Sequence, residues 1–256
     1  MIYGYISSVW VNNPVLIETN VPEIRSLLSS LNLRGNSILK VNFRPLLFFV
    51  FCFWSLTSHA IEVKVQVVDP AAKPLENIVV YLEPLDGQQQ AKTGKTLDIG
   101  QVNKTFTPYI SVMQSGNTVR FYNQDDITHH IYSVTGSHKF SIKIRSGEQM
   151  LKQDFTQAGE VVMGCNIHDW MSGYLLVLDT PYFDKTDSQG QLVLDVAEPG
   201  QYRLTAWHPQ MQEKDNRLVK TFALPENQSI IFKLNQTMAE IPQQQSDDDF
   251  YFLSEY

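Results

Sequence analysis

The stretch VVMGCNIHDWMSGY, at 161–174, carries Cys165, His168 and Met171 within seven residues. Its first half, with Val161, Val162 and Met163, reads as a strand that ends at the cysteine. Thiolate, imidazole and thioether are soft or borderline donors, and that combination suits copper. Zinc sites use more Cys or His, and their ligand clusters tend to come in pairs. Iron–sulfur clusters need more thiolates than this chain's two cysteines supply. A blue-copper centre takes two His and one Cys in a plane with a long axial Met. One His must therefore come from elsewhere.

The segment TVRFYNQDDITHHIYS, at 118–133, offers it. Two adjacent histidines, His129 and His130, follow a strand that ends at Asn123. Successive strand residues point to opposite faces, so only one of the pair faces a given metal. Taken singly, each candidate has a plainer reading. Cys165 is then a small buried hydrophobe, Met171 a core residue, and the histidine pair a polar strand end. Their joint occurrence favours copper, in the Cu(I) and Cu(II) states.

These residues resemble the cupredoxins, the plastocyanin-like blue-copper proteins. That family often shows an Asn, then an Asp, then a ligand His, matched by Asn123, Asp125 and His129. Its later loop reads Cys-x2-His-x2-Met or a longer variant, matched by Cys165, His168 and Met171, and the short form is similar to the amicyanin loop. Thr105, Phe106 and Pro108, then Ile110 and Val112, with Gly116 before Val119, resemble the strand that leads into the first ligand. The phrases HHIYS, GCNIHDWM and DTPYF are similar to a bacterial subgroup labelled methylamine utilisation protein. The resemblance covers roughly 98–210. It implies equatorial ligands His129, Cys165 and His168 and an axial Met171. Two departures stand out: His130 replaces a common Asn, and Asn166-Ile167 replaces the usual small-residue-Pro pair. The second change bears on hydrogen bonding around the sulfur.

The N-terminal part reads differently. Lys40 and Arg44 precede the apolar run PLLFFVFCFWSL, at 45–56, and Ser58 and Ala60 close it. This is the pattern of a secretory signal peptide, with an uncleaved anchor as the alternative. The run is short against the roughly 20 residues a membrane span needs. Cys52 sits inside it, unlike a lipoprotein cysteine. Residues 1–37 do not fit the signal pattern, so a native start near Ile38 is expected. Residues 1–60 are set aside as extension and signal. The remainder then carries 16 basic and 25 acidic residues, net −9, with Cys165 as its one cysteine. A lone thiol in an oxidising compartment has no internal disulfide partner. An acidic chain without basic blocks argues against nucleic acid, and no membrane span is expected in the mature protein.

From Ile61 onward the pattern is β. Runs at 61–68, 77–84, 109–114, 118–123, 140–146, 160–165, 174–179, 191–196, 202–207 and 229–234 are apolar or alternate, with Gly-bearing turns between many. The fold class expected is all-β, a cupredoxin Greek-key sandwich at 91–181. Residues 61–90 and 182–235 together resemble a transthyretin-like or carboxypeptidase-regulatory sandwich. The carrying residues are Pro74-Leu75, Val79 to Tyr81, Thr186 to Gly190 and Pro199 to Leu204. The gap of about 100 residues between the halves far exceeds an ordinary loop, so the cupredoxin would be inserted. The milder reading gives 61–84 to the cupredoxin itself. The tail at 236–256, with its QQQSDDD run, reads as acidic and disordered.

The function this implies is an exported, periplasmic one-electron carrier, not an enzyme. Its partner would be a redox protein such as a cytochrome or oxidase subunit. Copper storage, delivery or sensing is the second reading, with His130 and Met163 as extra donors. A binding module with structural copper is the third. Of the remaining histidines, His138 is expected in a solvated turn and His208 in packing or a hydrogen bond. Trp170 either covers the metal, forms a docking surface or packs in the core.

Overall fold

A computed structural model describes residues 60–87, 91–135, 138–152 and 155–242. The signal segment, Cys52 and the QQQSDDD run lie outside the described residues. No helix among those described is long and apolar enough to cross a membrane.

The described chain is all-β. Its strands are β1 (Ile61–Val68), β2 (Val79–Pro84), β3 (Thr96–Val102), β4 (Thr105–Thr107), β5 (Ile110–Gln114), β6 (Thr118–Asn123), β7 (His129–Ser133) and β8 (Phe140–Ile144). They continue as β9 (Gln149–Lys152), β10 (Gly159–Cys165), β11 (Ser172–Leu178), β12 (Phe183–Lys185), β13 (Gln191–Val196), β14 (Gly200–Trp207), β15 (Arg217–Leu224) and β16 (Gln228–Lys233).

Four sheets form two sandwiches. The inner one stacks β4-β3-β6-β9 on β5-β11-β10-β7-β8. Its core holds Ile99, Phe121, Ile131, Val161, Leu175 and Val177. The second stacks β13-β1-β16 on β12-β2-β14-β15, around Val65, Val80, Leu82, Leu194, Leu204 and Phe232. Strands β1 and β2 thus pair with β12 to β16 and with none of the strands from β3 to β11. Thr186 stitches the two stretches: its hydroxyl accepts the Ile78 N–H and donates to the Leu75 carbonyl.

The same threonine opens the turn legible as Thr-Asp-x-x-Gly. Asp187 accepts the N–H groups of Gln189 and Gln191 through one oxygen, at 2.8 Å each, an Asx arrangement. Gly190 closes it at φ +70°, where a Cβ would lie 2.5 Å from the Val67 carbonyl oxygen. Only glycine fits there.

Strands β2 and β11 are apolar on both faces, and the packing shows why. On β2, Val80 and Leu82 enter the second core, while Val79 and Tyr81 face the other way. On β11, Leu175 and Val177 enter the inner core, while Leu176 and Leu178 face outward. Those outward faces, with Ile110 and with Trp207 of β14, make a third cluster that joins the sandwiches. Polar contacts rim it. Glu160 accepts from the Trp207 indole at 3.1 Å and pairs with Arg217 at 2.6 Å. Beyond β16 the chain stays attached: Met238 packs on the second core and the Ala239 N–H donates to the Gln210 carbonyl.

Candidate metal centre

The site lies at one end of the inner sandwich. Strand β6 ends at Asn123, whose buried amide shapes the loop that follows. It donates to the Ile127 and Ile144 carbonyls at 2.6 and 3.0 Å and accepts the Asp125 N–H at 2.9 Å. This loop delivers His129 as the first residue of β7. Alternation then separates the two histidines. His129 is fully buried. His130 lies on the other face, hydrogen-bonded to Ser141 at 2.6 Å and to Asn166 at 3.2 Å.

Cys165 ends β10 and His168 follows in the next turn. The sulfur lies 3.7 Å from Nδ1 of His129 and 3.9 Å from Nδ1 of His168. All three donor atoms lie within 4.8 Å of one another, and all three residues are buried. The structure thus brings His129, Cys165 and His168 together and leaves His130 outside. Met171 is buried in the same core cluster, and its N–H closes the turn onto the His168 carbonyl at 3.0 Å.

Asp125 supports this group from behind. Its carboxylate meets Nε2 of His129 at 2.7 Å and accepts the Lys104 N–H at 2.9 Å. A carboxylate on one ring nitrogen fixes the tautomer and leaves the other free for a metal. Lys104 sits in the β3–β4 turn at φ 59°, next to Asn103 at φ 53°, the paired left-handed geometry of a type I′ hairpin. The sequence showed Asp125 only as a motif position, and it gave no sign of the Lys104 contact. That contact links residues 21 apart and depends on a turn without the usual glycine.

Burial would raise the Cys165 thiol, but the His129 ring and backbone hydrogen bonds at Ile167, His130 and His168 reverse this and lower its pKa. Burial would lower His129, but its hydrogen bonds to Cys165 and Asp125 outweigh that and raise it. His168 is lowered by burial and by the nearby charges of His129 and Lys104. The surroundings therefore shift Cys165 toward the thiolate and His168 toward the neutral ring. Ile167 matters here because a proline at that position has no N–H to give.

No family model and no curated protein matches this chain. Solved structures with similarity to it include a Cu-containing nitrite reductase from Thermus scotoductus SA-01. That match is 27% identical, spans 37% of this chain and 25% of that one, and has a TM-score of 0.31. This chain therefore spans about a quarter of that protein's length. A purple cupredoxin from Nitrosopumilus maritimus is 22% identical over 32% of this chain and 98% of its own, at a TM-score of 0.29. A reduced amicyanin variant is 16% identical over 38% and 98%, also at 0.29.

The donor set fits copper on its own chemistry: a thiol held toward thiolate, two imidazoles presenting Nδ1, and a thioether in the adjoining core. Trp170 is half-buried, with its ring 5.1 Å from the His168 ring, and packs on the same cluster. His208 is buried and accepts the Gln210 N–H through Nδ1 at 3.1 Å, the packing and hydrogen-bond role expected of it. His138 departs from its expected solvated turn. It is buried, bonds the Gln157 carbonyl through Nε2 at 2.8 Å, and stacks near Phe155. A polar neighbour such as Lys139 hides the fact that the alternate residue points inward.

Proposed function

We propose that this protein is an exported one-electron carrier of the cupredoxin kind, with copper held by His129, Cys165, His168 and Met171. The observation that carries this reading is the buried triad of one sulfur and two Nδ1 atoms within 4.8 Å. Copper bound there would accept and release one electron. The protein's own part is to hold the donors still. Asp125 fixes the His129 ring, and the 168–171 turn fixes His168 beside Met171. Little movement between oxidation states keeps reorganisation small, and no substrate chemistry is required.

The closed site supports a carrier over a storage or delivery protein. The extra donors that exchange would use are turned away or packed: His130 bonds Ser141, and Met163 is buried in the core. Periplasmic location, through a signal peptide at 38–60, and a basic redox partner for the acidic mature chain belong to the same proposal. So do membership of the subgroup marked by HHIYS and GCNIHDWM and the insertion of the 91–181 unit between 61–90 and 182–235. The strand pairing of β1 and β2 supports the insertion.

Visible and electron-spin-resonance spectra of the copper-loaded protein test the reading. A blue colour with reversible one-electron redox is the expected result. A colourless protein that holds only Cu(I) would favour storage or delivery.

A further inference from the structure

Gln101 is a polar residue that the copper reading leaves unused. It lies on β3 and is fully buried, yet neither end of its amide has a hydrogen-bond partner among the described residues. Leaving a buried amide unsatisfied is destabilising, and buried polar groups are nearly always paired. The direction of the side chain follows from the pleat. Leu97 and Ile99 pack into the inner core, whereas Gly100 faces the other way, under the Tyr122 ring. Gln101 shares the face of Leu97 and Ile99 and therefore points between the sheets.

Register fixes what it faces. Its partners on the neighbouring strands are Phe106 and Asn123. Phe106 packs against Gly173 of β11, where an added Cβ would lie 2.8 Å from the Phe106 Cβ. Asn123 reaches the Ile144 carbonyl of β8, and Ile144 pairs with His129 of β7. Strand β10 runs between β11 and β7. Gln101, flanked by Phe106 and Asn123, thus faces the end of β10, where Cys165 stands.

We infer that Gln101 belongs to the metal centre, its amide oxygen closing the inner side of the site as a further donor to the ion. This rests on the copper reading above. The orphaned amide weakens the metal-free protein and gains its partner when the ion binds. A carboxamide oxygen is a harder donor than a thioether and favours Cu(II) over Cu(I). Gln101 therefore holds the reduction potential down.

The test uses the full chain, as wild type and Gln101→Leu, with added copper. Three quantities are measured: the copper hyperfine pattern by spin resonance, the reduction potential, and the thermal midpoint of the metal-free protein. The variant should bind copper about tenfold more weakly. It should show an altered hyperfine pattern and a raised potential, and be no less stable without metal. An unchanged pattern and potential would overturn the inference. A less stable metal-free variant would do the same, because the amide would then have an internal partner such as a buried water. Gln101→Ile, likewise apolar and without a donor atom, gives the same readings if the leucine variant does not fold. Wild type that takes up no copper removes the copper reading itself. A copper-loaded wild type indistinguishable from the variant removes only the role of Gln101.

Discussion

The Asp125 carboxylate holds Nε2 of His129 at 2.7 Å, on the opposite side of the ring from the Cys165 sulfur, which lies 3.7 Å from Nδ1. The ring is thereby gripped from behind and presents one nitrogen forward. Asp125→Ala frees the ring to turn and also releases the Lys104 turn. Copper affinity should fall about 10- to 100-fold, read by titration against a competing chelator. Unchanged affinity would show that packing alone orients the imidazole.

The two adjacent histidines should separate cleanly. His129→Ala removes a donor of the buried triad and should abolish the coloured copper complex. His130→Ala removes a half-exposed bond to Ser141 and should keep the colour. Visible titration of both variants with Cu(II) checks this, and the opposite pattern would move the first ligand to His130.

Ile167→Pro deletes one backbone N–H that bonds the Cys165 sulfur. Hydrogen bonds drain electron density from a thiolate and favour the reduced metal. The variant's reduction potential should fall below that of the wild type in voltammetry. A rise or no change would show that this N–H does not act on the bound ion.

Trp207 fills the joint between the sandwiches and is fully buried. Trp207→Ala leaves a large cavity and deprives Glu160 of the indole N–H. The loss of stability should be about 3–5 kcal/mol, measured by urea unfolding. A loss below 1 kcal/mol would mean the joint closes over the gap.

Burial pushes His208 down from 6.5 to about 4. In the unfolded chain it protonates first as pH falls, so its folded form gives full stability above about pH 6.5. That contribution declines toward pH 4, by about 3 kcal/mol in all. His208→Phe should flatten this part of the stability–pH curve relative to wild type. Parallel curves would place the titration elsewhere.

The candidate site was legible in the sequence because its residues sit in short local patterns. Cys165, His168 and Met171 share one turn, and strand alternation alone separates His129 from His130. It carried the fold less evenly. Strand β3 was missed because its alternation is broken: Asp98 pairs with Arg120 across the sheet, and Gly100 lies under Tyr122. Strand β15, RLVKTFAL, is an edge strand with Leu224 as its one buried residue, so little apolar period marks it. Strand β9 is polar or exposed along its length. Gln101 and Lys104 were silent because their roles arise from pairing between distant strands, which no local window records.

The joint built from Val79, Tyr81, Ile110, Leu176, Leu178 and Trp207 has a practical corollary for anyone trimming this chain to its metal-binding half. Excising 91–181 would strip the cover from a greasy wall on β11 and β5, and such bare patches drive aggregation. A soluble minimal version would need Leu176 and Leu178 exchanged for polar residues, or the flanking sandwich left in place as a shield.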